Sequence, residues 1–292
     1  MDRPAGRDHG ILRPLDAARR ISLGRQAPPE SLAGRVAYLW WVRWDVEEPY
    51  RQDVLPAPVV HVSVEQWQSR ARILLTGPQS RRFEQRLEGR GRVVAAAFRP
   101  GCVRPYLGVP VSDLADRRVP LAEVVAADGV LDDTVVAERI LDRDPPDEAS
   151  LALLTDWLGA LPSASDPLCE DLATLVERAE QDPSLTRAAQ LADLAGVTLR
   201  TLQRQFAEYV GVGPKQVVQR FRLLDVAAVA HSGQAVDWAA VALELGYSDQ
   251  SHLVRAFSRV VGEPPATYTR RASTPVTSGV RPPRGAGSDS LA

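Results

Sequence analysis

Two domains of different class, a β-rich N-terminal one and an all-helical C-terminal one, are what this 292-residue chain predicts, an α+β architecture overall. Three observations predict it. Between residues 36 and 98 apolar residues come in short runs, β-branched and aromatic, broken by Gly and Pro. From residue 168 to 271 their spacing is helical. Between the two, residues 161–167 (LPSASDP) form a turn-rich break, the preferred domain boundary. The length suits two domains of about 100–200 residues each, and 45% hydrophobic with 25% charged residues is ordinary globular composition.

Residues 1–30 are polar, close on Pro28-Pro29 and are expected as a loosely held leader. Residues 36–46, 54–64, 72–76 and 93–98 read as strands. The second of these contains Val59-Val60-His61-Val62-Ser63-Val64, which alternates in its latter half. Several short strands between turn signals suggest a sandwich or small barrel, with no long helix before about Pro120. Residues 121–125, 134–141 and 147–161 then carry helical spacing, and Pro145-Pro146 separates the last two. The N-terminal domain with this helical extension spans 31–161 and the helical domain 166–271. The tail, 272–292, is rich in Ser, Pro and Gly and is expected to be disordered.

Several classes are disfavoured by composition. The two cysteines, Cys102 and Cys169, have no CxxC spacing, so no disulfide framework or cysteine metal site is indicated, which fits a reducing cytoplasm. The N-terminus lacks an apolar core of a secretory signal, and no stretch approaches about 18 uninterrupted apolar residues, so no membrane partner is expected. His61 is the only histidine of the β region, which leaves a metal centre there without ligands. No cofactor is expected. Trp41 and Arg43 alternate with Trp40 and Trp44 along one strand. With His61 they are candidate ligand-pocket residues, although core packing is the plainer reading for the tryptophans.

The helical half carries the functional signal. In 186–211 (TRAAQLADLAGVTLRTLQRQFAEYVG), Ala188, Leu191, Ala192 and Ala195 form an apolar stripe that ends at Gly196, where the chain can turn sharply. Thr198 is a good N-cap for a second helix. There Leu202, Phe206, Tyr209 and Val210 share one face, and Arg200, Gln203 and Arg204 the other. Two helices joined by a tight glycine turn make a helix-turn-helix, whose second helix fits the major groove. Arg and Gln match guanine and adenine edges there. A single amphipathic helix would prove little. About fifty residues on, however, 236–262 (VDWAAVALELGYSDQSHLVRAFSRVVG) repeats the layout: an alanine-rich helix, Gly246, Ser248 as cap, then Leu253 and Phe257 buried with Arg255 two residues after the leucine. Residues 214–231, opening with proline, read as one connecting helix.

This segment resembles the DNA-binding domain of the AraC/XylS family. Gly246-Tyr247-Ser248-Asp249-Gln250-Ser251-His252-Leu253, then Arg255-Ala256-Phe257, Gly262, Pro264-Pro265 and Tyr268 match its C-terminal signature. Residues 198–206 and Gly213-Pro214 match the first half. The resemblance implies seven helices with two recognition helices. The DNA-binding residues would be Arg200, Thr201, Gln203 and Arg204 in the first, and Gln250, Ser251, His252, Val254 and Arg255 in the second. Glu263 departs from the commoner small or apolar residue. Phe98-Arg99-Pro100-Gly101, Leu107-Gly108-Val109-Pro110 and Leu114-Ala115-Asp116-Arg117 resemble the N-terminal domain of a subset of these regulators, cupin-like sensors or dimerisation modules. Arg99 joins the candidate ligand residues on that ground.

The function so implied is a bacterial-type, cytoplasmic, non-enzymatic regulator, activator or repressor. Its partners would be double-stranded DNA, a small-molecule effector, a second copy of the chain as homodimer and, by resemblance, RNA polymerase. Two other classes stand beside it: a ligand-binding or protein-interaction module that regulates no gene, and a cupin-like enzyme. The letters of a catalytic triad in Asp249, Ser251 and His252 crowd one helical turn and lack the geometry of a relay. Charge speaks against DNA at first sight: residues 166–270 hold ten Arg/Lys against thirteen Asp/Glu, a net of −3. The positive charge must therefore be placed locally, and Lys215, Arg220, Arg222, Arg255 and Arg259 are expected to line the DNA side.

Overall fold

Residues 11–12, 14–55, 57–67, 70–125, 133–141, 146–161, 166–231 and 236–273 are described by the computed structural model. In chain order they form α1 (Pro14–Ala17), β1 (Ile21–Gln26), α2 (Glu30–Ala33), β2 (Val36–Val54), β3 (His61–Trp67), β4 (Arg70–Thr76), β5 (Phe83–Phe98) and β6 (Arg118–Pro120). There follow α3 (Asp133–Leu141), α4 (Asp147–Ala160), α5 (Pro167–Gln181), α6 (Ala188–Leu194), α7 (Leu199–Gln205), α8 (Pro214–His231), α9 (Trp238–Glu244), α10 (Gln250–Val261) and α11 (Pro265–Ser273).

The β-branched runs pair as one antiparallel sheet in the order β1-β2-β5-β3-β4-β6. Its register sets two faces. Leu39, Val62, Val64, Ile73, Leu75, Val94 and Ala96 point to the side covered by α3 and α4, whose Ala137, Ile140, Leu151, Leu154 and Leu158 complete that core. Trp40, Trp44, Val93 and Ala95 point to the other side and cluster with Ile21, Tyr50 and Leu87. The sheet is strongly curled. Arg118 of β6 lies in register with Thr76, His61 and hence Ala97. Yet its Nη1 donates to Gln85 Oε1 at 3.0 Å, twelve residues up β5, a span of about 40 Å if the strand were straight. The described strands form one bent, open sheet with β1 and β6 at its edges, and among the described residues there is no second sheet to make a sandwich.

Part of the expected leader is sheet. Ile21–Gln26 pairs with β2 along its whole length, Ile21 opposite Trp44 and Gly24 opposite Trp41. A Cβ at Gly24 would sit 2.5 Å from the Trp41 indole nitrogen, so the missing side chain is what lets that ring lie across the strand. The remainder of the leader, residues 1–10 and 13, lies outside the described residues, as does the tail from 274 onward. The apolar faces of α3 and α4 are used within the domain itself, against the sheet.

Seven helices, α5 to α11, make up the described C-terminal half and share one core centred on Leu202, Phe206, Phe221, Leu253, Phe257 and Tyr268. Leu12 and Leu55 of the N-terminal half enter that core, and the Tyr268 hydroxyl donates to Leu12 O at 2.5 Å. Arg222 of α8, 2% exposed, donates to Asp182 O at 2.8 Å and Leu185 O at 3.0 Å and pairs with buried Asp225 at 3.1 Å. Its charge thereby satisfies carbonyls left open where α5 ends. Arg222→Met leaves both the carbonyls and Asp225 uncompensated, and is expected to lower stability by about 3–5 kcal/mol. Urea unfolding would read this, and a loss below about 1 kcal/mol would show the ion is dispensable.

Candidate nucleic-acid interface

The first helix pair turns at Gly196, whose φ of 64° needs a glycine. Thr198 caps α7, its side chain accepting from Thr201 N at 3.2 Å. Leu202 and Phe206 are fully buried; on the other side of the helix Arg200, Gln203 and Arg204 are exposed, and Thr201 is half-buried with its hydroxyl 2.9 Å from that of Thr198. The helix widens over Phe206–Val210 and closes at Gly211, φ 83°. Tyr209 there donates to Asp166 Oδ2 at 2.6 Å.

The second pair repeats this with one difference. Gly246 turns at φ 76°, but the cap of α10 is Asp249 rather than Ser248. Asp249 is fully extended, and its carboxylate accepts from His252 N at 2.7 Å. A charged acceptor at a helix N-terminus outcompetes a hydroxyl, and the same backbone bond holds the Asp249 carboxyl below its ordinary range. Ser248 instead reaches Asp249 and His252 Nδ1, both at 3.2 Å. These bonds are capping geometry, with no hydroxyl relayed through the histidine to the carboxylate. Leu253 and Phe257 are fully buried. Gln250, Ser251, His252 and Arg255 are exposed and Val254 half-buried, and the His252 ring stands edge-on to Tyr247 at 5.3 Å. Leu202, Arg204 and Phe206 thus correspond to Leu253, Arg255 and Phe257 in position and exposure.

The local charge is distributed otherwise than the sequence suggests. Lys215, Arg255 and Arg259 are exposed, whereas Arg220 and Arg222 are 7% and 2% exposed and face the interior. The sequence suggests an outward place for both because arginine is seldom buried, yet they lie on the inward side of α8.

The four candidate ligand residues are not gathered into one pocket. Trp41 packs against Gly24 on the side of α3 and α4, and Arg43 pairs with Asp147 of α4 at 2.6 Å. His61 is on the opposite face, where its Nδ1 accepts from Trp40 Nε1 at 3.1 Å. Arg99, past the end of β5, pairs with Glu177 of α5 at 2.8 Å and donates to Gly34 O at 3.1 Å. Of these only Arg43 borders an open cleft of ≈ 1050 Å³, with Arg20, Trp44, Arg90 and Arg92. The two cysteines meet across the halves: Cys102 Sγ lies 3.6 Å from Cys169 O. Burial pushes their thiols up to about 11 and about 12, so they pack rather than react.

Residues 191–271 match a family model described as "Helix-turn-helix domain". A Streptomyces lividans protein provisionally named an AraC-like transcription regulator is 34% identical over 123 residues, 42% of this chain and 38% of that one. A Streptomyces antibioticus protein of the same name is 34% identical over 118 residues, 40% of this chain and 37% of that one. The C-terminal region is an AraC-type helix-turn-helix domain. The matched stretch spans under two fifths of the length of either relative. Residues 25–120 match "Domain of unknown function (DUF6597)". A crystal structure of ToxT from Vibrio cholerae overlaps 86% of this chain and 98% of its own at 10% identity, with a TM-score of 0.42, too loosely to carry either fold or function.

Beside the AraC-type domain, the N-terminal sheet holds a titratable group at its centre. Burial first, and Arg25 second, hold the His61 imidazole down at about 4, so the folded chain keeps it neutral while the unfolded chain protonates it near 6.5. The stability this confers is complete above pH 6.5 and is lost as the pH falls towards 4. Melting temperature is expected to drop over that window, and less steeply in His61→Gln. Parallel profiles for the two proteins would show that His61 is not the group responsible.

Proposed function

We propose that this protein is a sequence-specific DNA-binding regulator of transcription, in which one chain lays α7 and α10 into successive major grooves on one face of a duplex. The observation that carries the reading is the duplication: two helices bury the same Leu-x-x-x-Phe stripe and expose an arginine at the same place between, Arg204 and Arg255. The base-facing set we propose is Arg200, Thr201, Gln203 and Arg204 with Gln250, Ser251, His252, Val254 and Arg255. The connector α8 has 18 residues, about 27 Å at 1.5 Å per residue. Neighbouring grooves on one face lie about 34–36 Å apart, so α7 and α10 extend past the connector's ends and modest DNA bending supplies the remainder. The site should then be asymmetric rather than palindromic.

Regulatory input belongs to the N-terminal domain in this reading. A small-molecule effector would find donors in the cleft of Arg20, Arg43, Arg90 and Arg92. RNA polymerase and a second copy of the chain are further partners, proposed from the resemblance alone. A non-regulatory interaction module is the competing reading, and it predicts no salt-sensitive retention on random duplex DNA. Catalysis has no support in the geometry around His252, where the polar groups cap a helix.

Arg204→Ala and Arg255→Ala should each weaken specific binding by about 1–3 kcal/mol and relax preference at one base position. Binding to a selected site and to its point variants, measured at fixed salt, checks this. Equal loss on every sequence would reassign that arginine to a phosphate.

A further inference from the structure

The loop joining β4 to β5, residues 77–82, packs against the AraC-type domain. It touches that domain at three places. Gly211, which ends the first recognition helix, packs so closely that a Cβ there would lie 2.8 Å from both Pro78 and Val111. Arg82 Nη1 donates to Val261 O at 2.7 Å, the last residue of the second recognition helix. Between them Arg220 of the connector α8 donates through Nη2 to Gln79 O at 3.0 Å and Ser80 O at 2.6 Å. One loop therefore holds the C-terminal end of each recognition helix and the helix that joins them.

The loop is itself fixed from behind. Gly77 N donates to Arg117 O at 3.0 Å and Asp116 N to Pro78 O at 3.0 Å. The Asp116 carboxylate accepts from Ser80 N at 2.7 Å and Ser80 Oγ at 2.6 Å. Asp116 takes a φ of 57°, a conformation that persists for a non-glycine only when its surroundings hold it. A Cβ at Gly77 would lie 1.9 Å from Leu114 O, so the loop has no room to shift that way. Arg220 is 7% exposed, and taking a guanidinium out of water favours keeping its acceptors in place.

We propose that the 77–82 loop is a brace that fixes the separation and tilt of the two recognition helices, with Arg82 and Arg220 as its positioning residues. This rests on the reading that α7 and α10 both enter DNA. The arrangement makes half-site spacing a property of the N-terminal domain as well as of the connector. Movement of the 110–117 segment, to which the loop is tied, would pass to both helices at once.

Spin labels at Ala207→Cys and Arg259→Cys, both exposed, report the separation of the helices in the full-length, DNA-free protein. Electron–electron double resonance should give one narrow distance distribution. Arg82→Ala should roughly double its width and Arg82→Lys, which still donates, should largely restore it. Equal widths in all three would overturn the brace, whatever DNA the protein selects. A second arm selects sites from a random duplex library. The parent protein should recover two elements at one spacing, and Arg82→Ala the same elements at several, whereas Arg204→Ala should weaken one element and keep the spacing. Recovery of a single spacing by Arg82→Ala would likewise overturn the brace. A parent that recovers only one element, with the distance widths behaving as stated, would overturn the two-groove reading and leave the brace standing.

Discussion

Burying one stripe of a short helix decides where all its other side chains point, and this chain uses that constraint twice. Helix α7 is seven residues long before it widens, below the length of about 12–15 at which isolated helices become stable in water. It exists because Leu202 and Phe206 are fully buried, each worth about 1.5–3 kcal/mol of transfer free energy, and because Thr198 closes its first turn. Arg204, between the two anchors, has nowhere to go but outward. The same argument places Arg255 between Leu253 and Phe257. Chemistry at the surface is thus a consequence of packing beneath it, and a mutation of the anchors would misplace the arginines without touching them.

The net charge of the helical half becomes intelligible once burial is known. Arg220 and Arg222 serve the interior, the first lowered to about 10 by its loss of water and the second satisfying carbonyls around the end of α5. Among the described residues of this half, eight cations remain exposed at the surface: Arg178, Arg187, Arg200, Arg204, Lys215, Arg255, Arg259 and Arg270. On the proposed function, each phosphate that these cations neutralise adds close to one to the salt slope.

How much of this was legible in the sequence divides along the range of the interactions. The helix pairs, the glycine turns, the Thr198 cap and the buried Leu and Phe positions follow from local spacing, and the structure has them where the spacing predicts. Cap choice between Ser248 and Asp249 was missed because both residues are good acceptors and only the backbone conformation separates them. The strand Ile21–Gln26 was missed because a glycine interrupts its apolar pattern. That glycine is there for the Trp41 ring, a partner on another strand. Arg220 and Arg222 look like surface cations in any sequence, and their burial depends on carbonyls 37 to 141 positions away. The scattering of Trp41, Arg43, His61 and Arg99 has the same origin. Alternation puts His61 and Trp41 on opposite faces only after the register between strands is known.

The two halves share interior rather than surface. Leu12 and Leu55 belong to the helical core, Tyr268 hydrogen-bonds back to Leu12, Cys102 rests against Cys169, and Arg104 pairs with Glu208 beside the first recognition helix at 2.7 Å. Close-packed interiors do not deform continuously; they switch between discrete arrangements. A ligand that changed the sheet would have to differ in affinity between two such arrangements. Among the contacts that distinguish them are those at the ends of α7 and α10. Arg104, Arg82 and Arg220 each join a rigid part of the N-terminal domain to a helix that carries an exposed arginine or to the connector between them. On the proposed function, coupling between the halves therefore needs no long relay, because Arg82, Arg104 and Arg220 join the N-terminal half directly to the ends of the DNA-facing helices and to the connector between them.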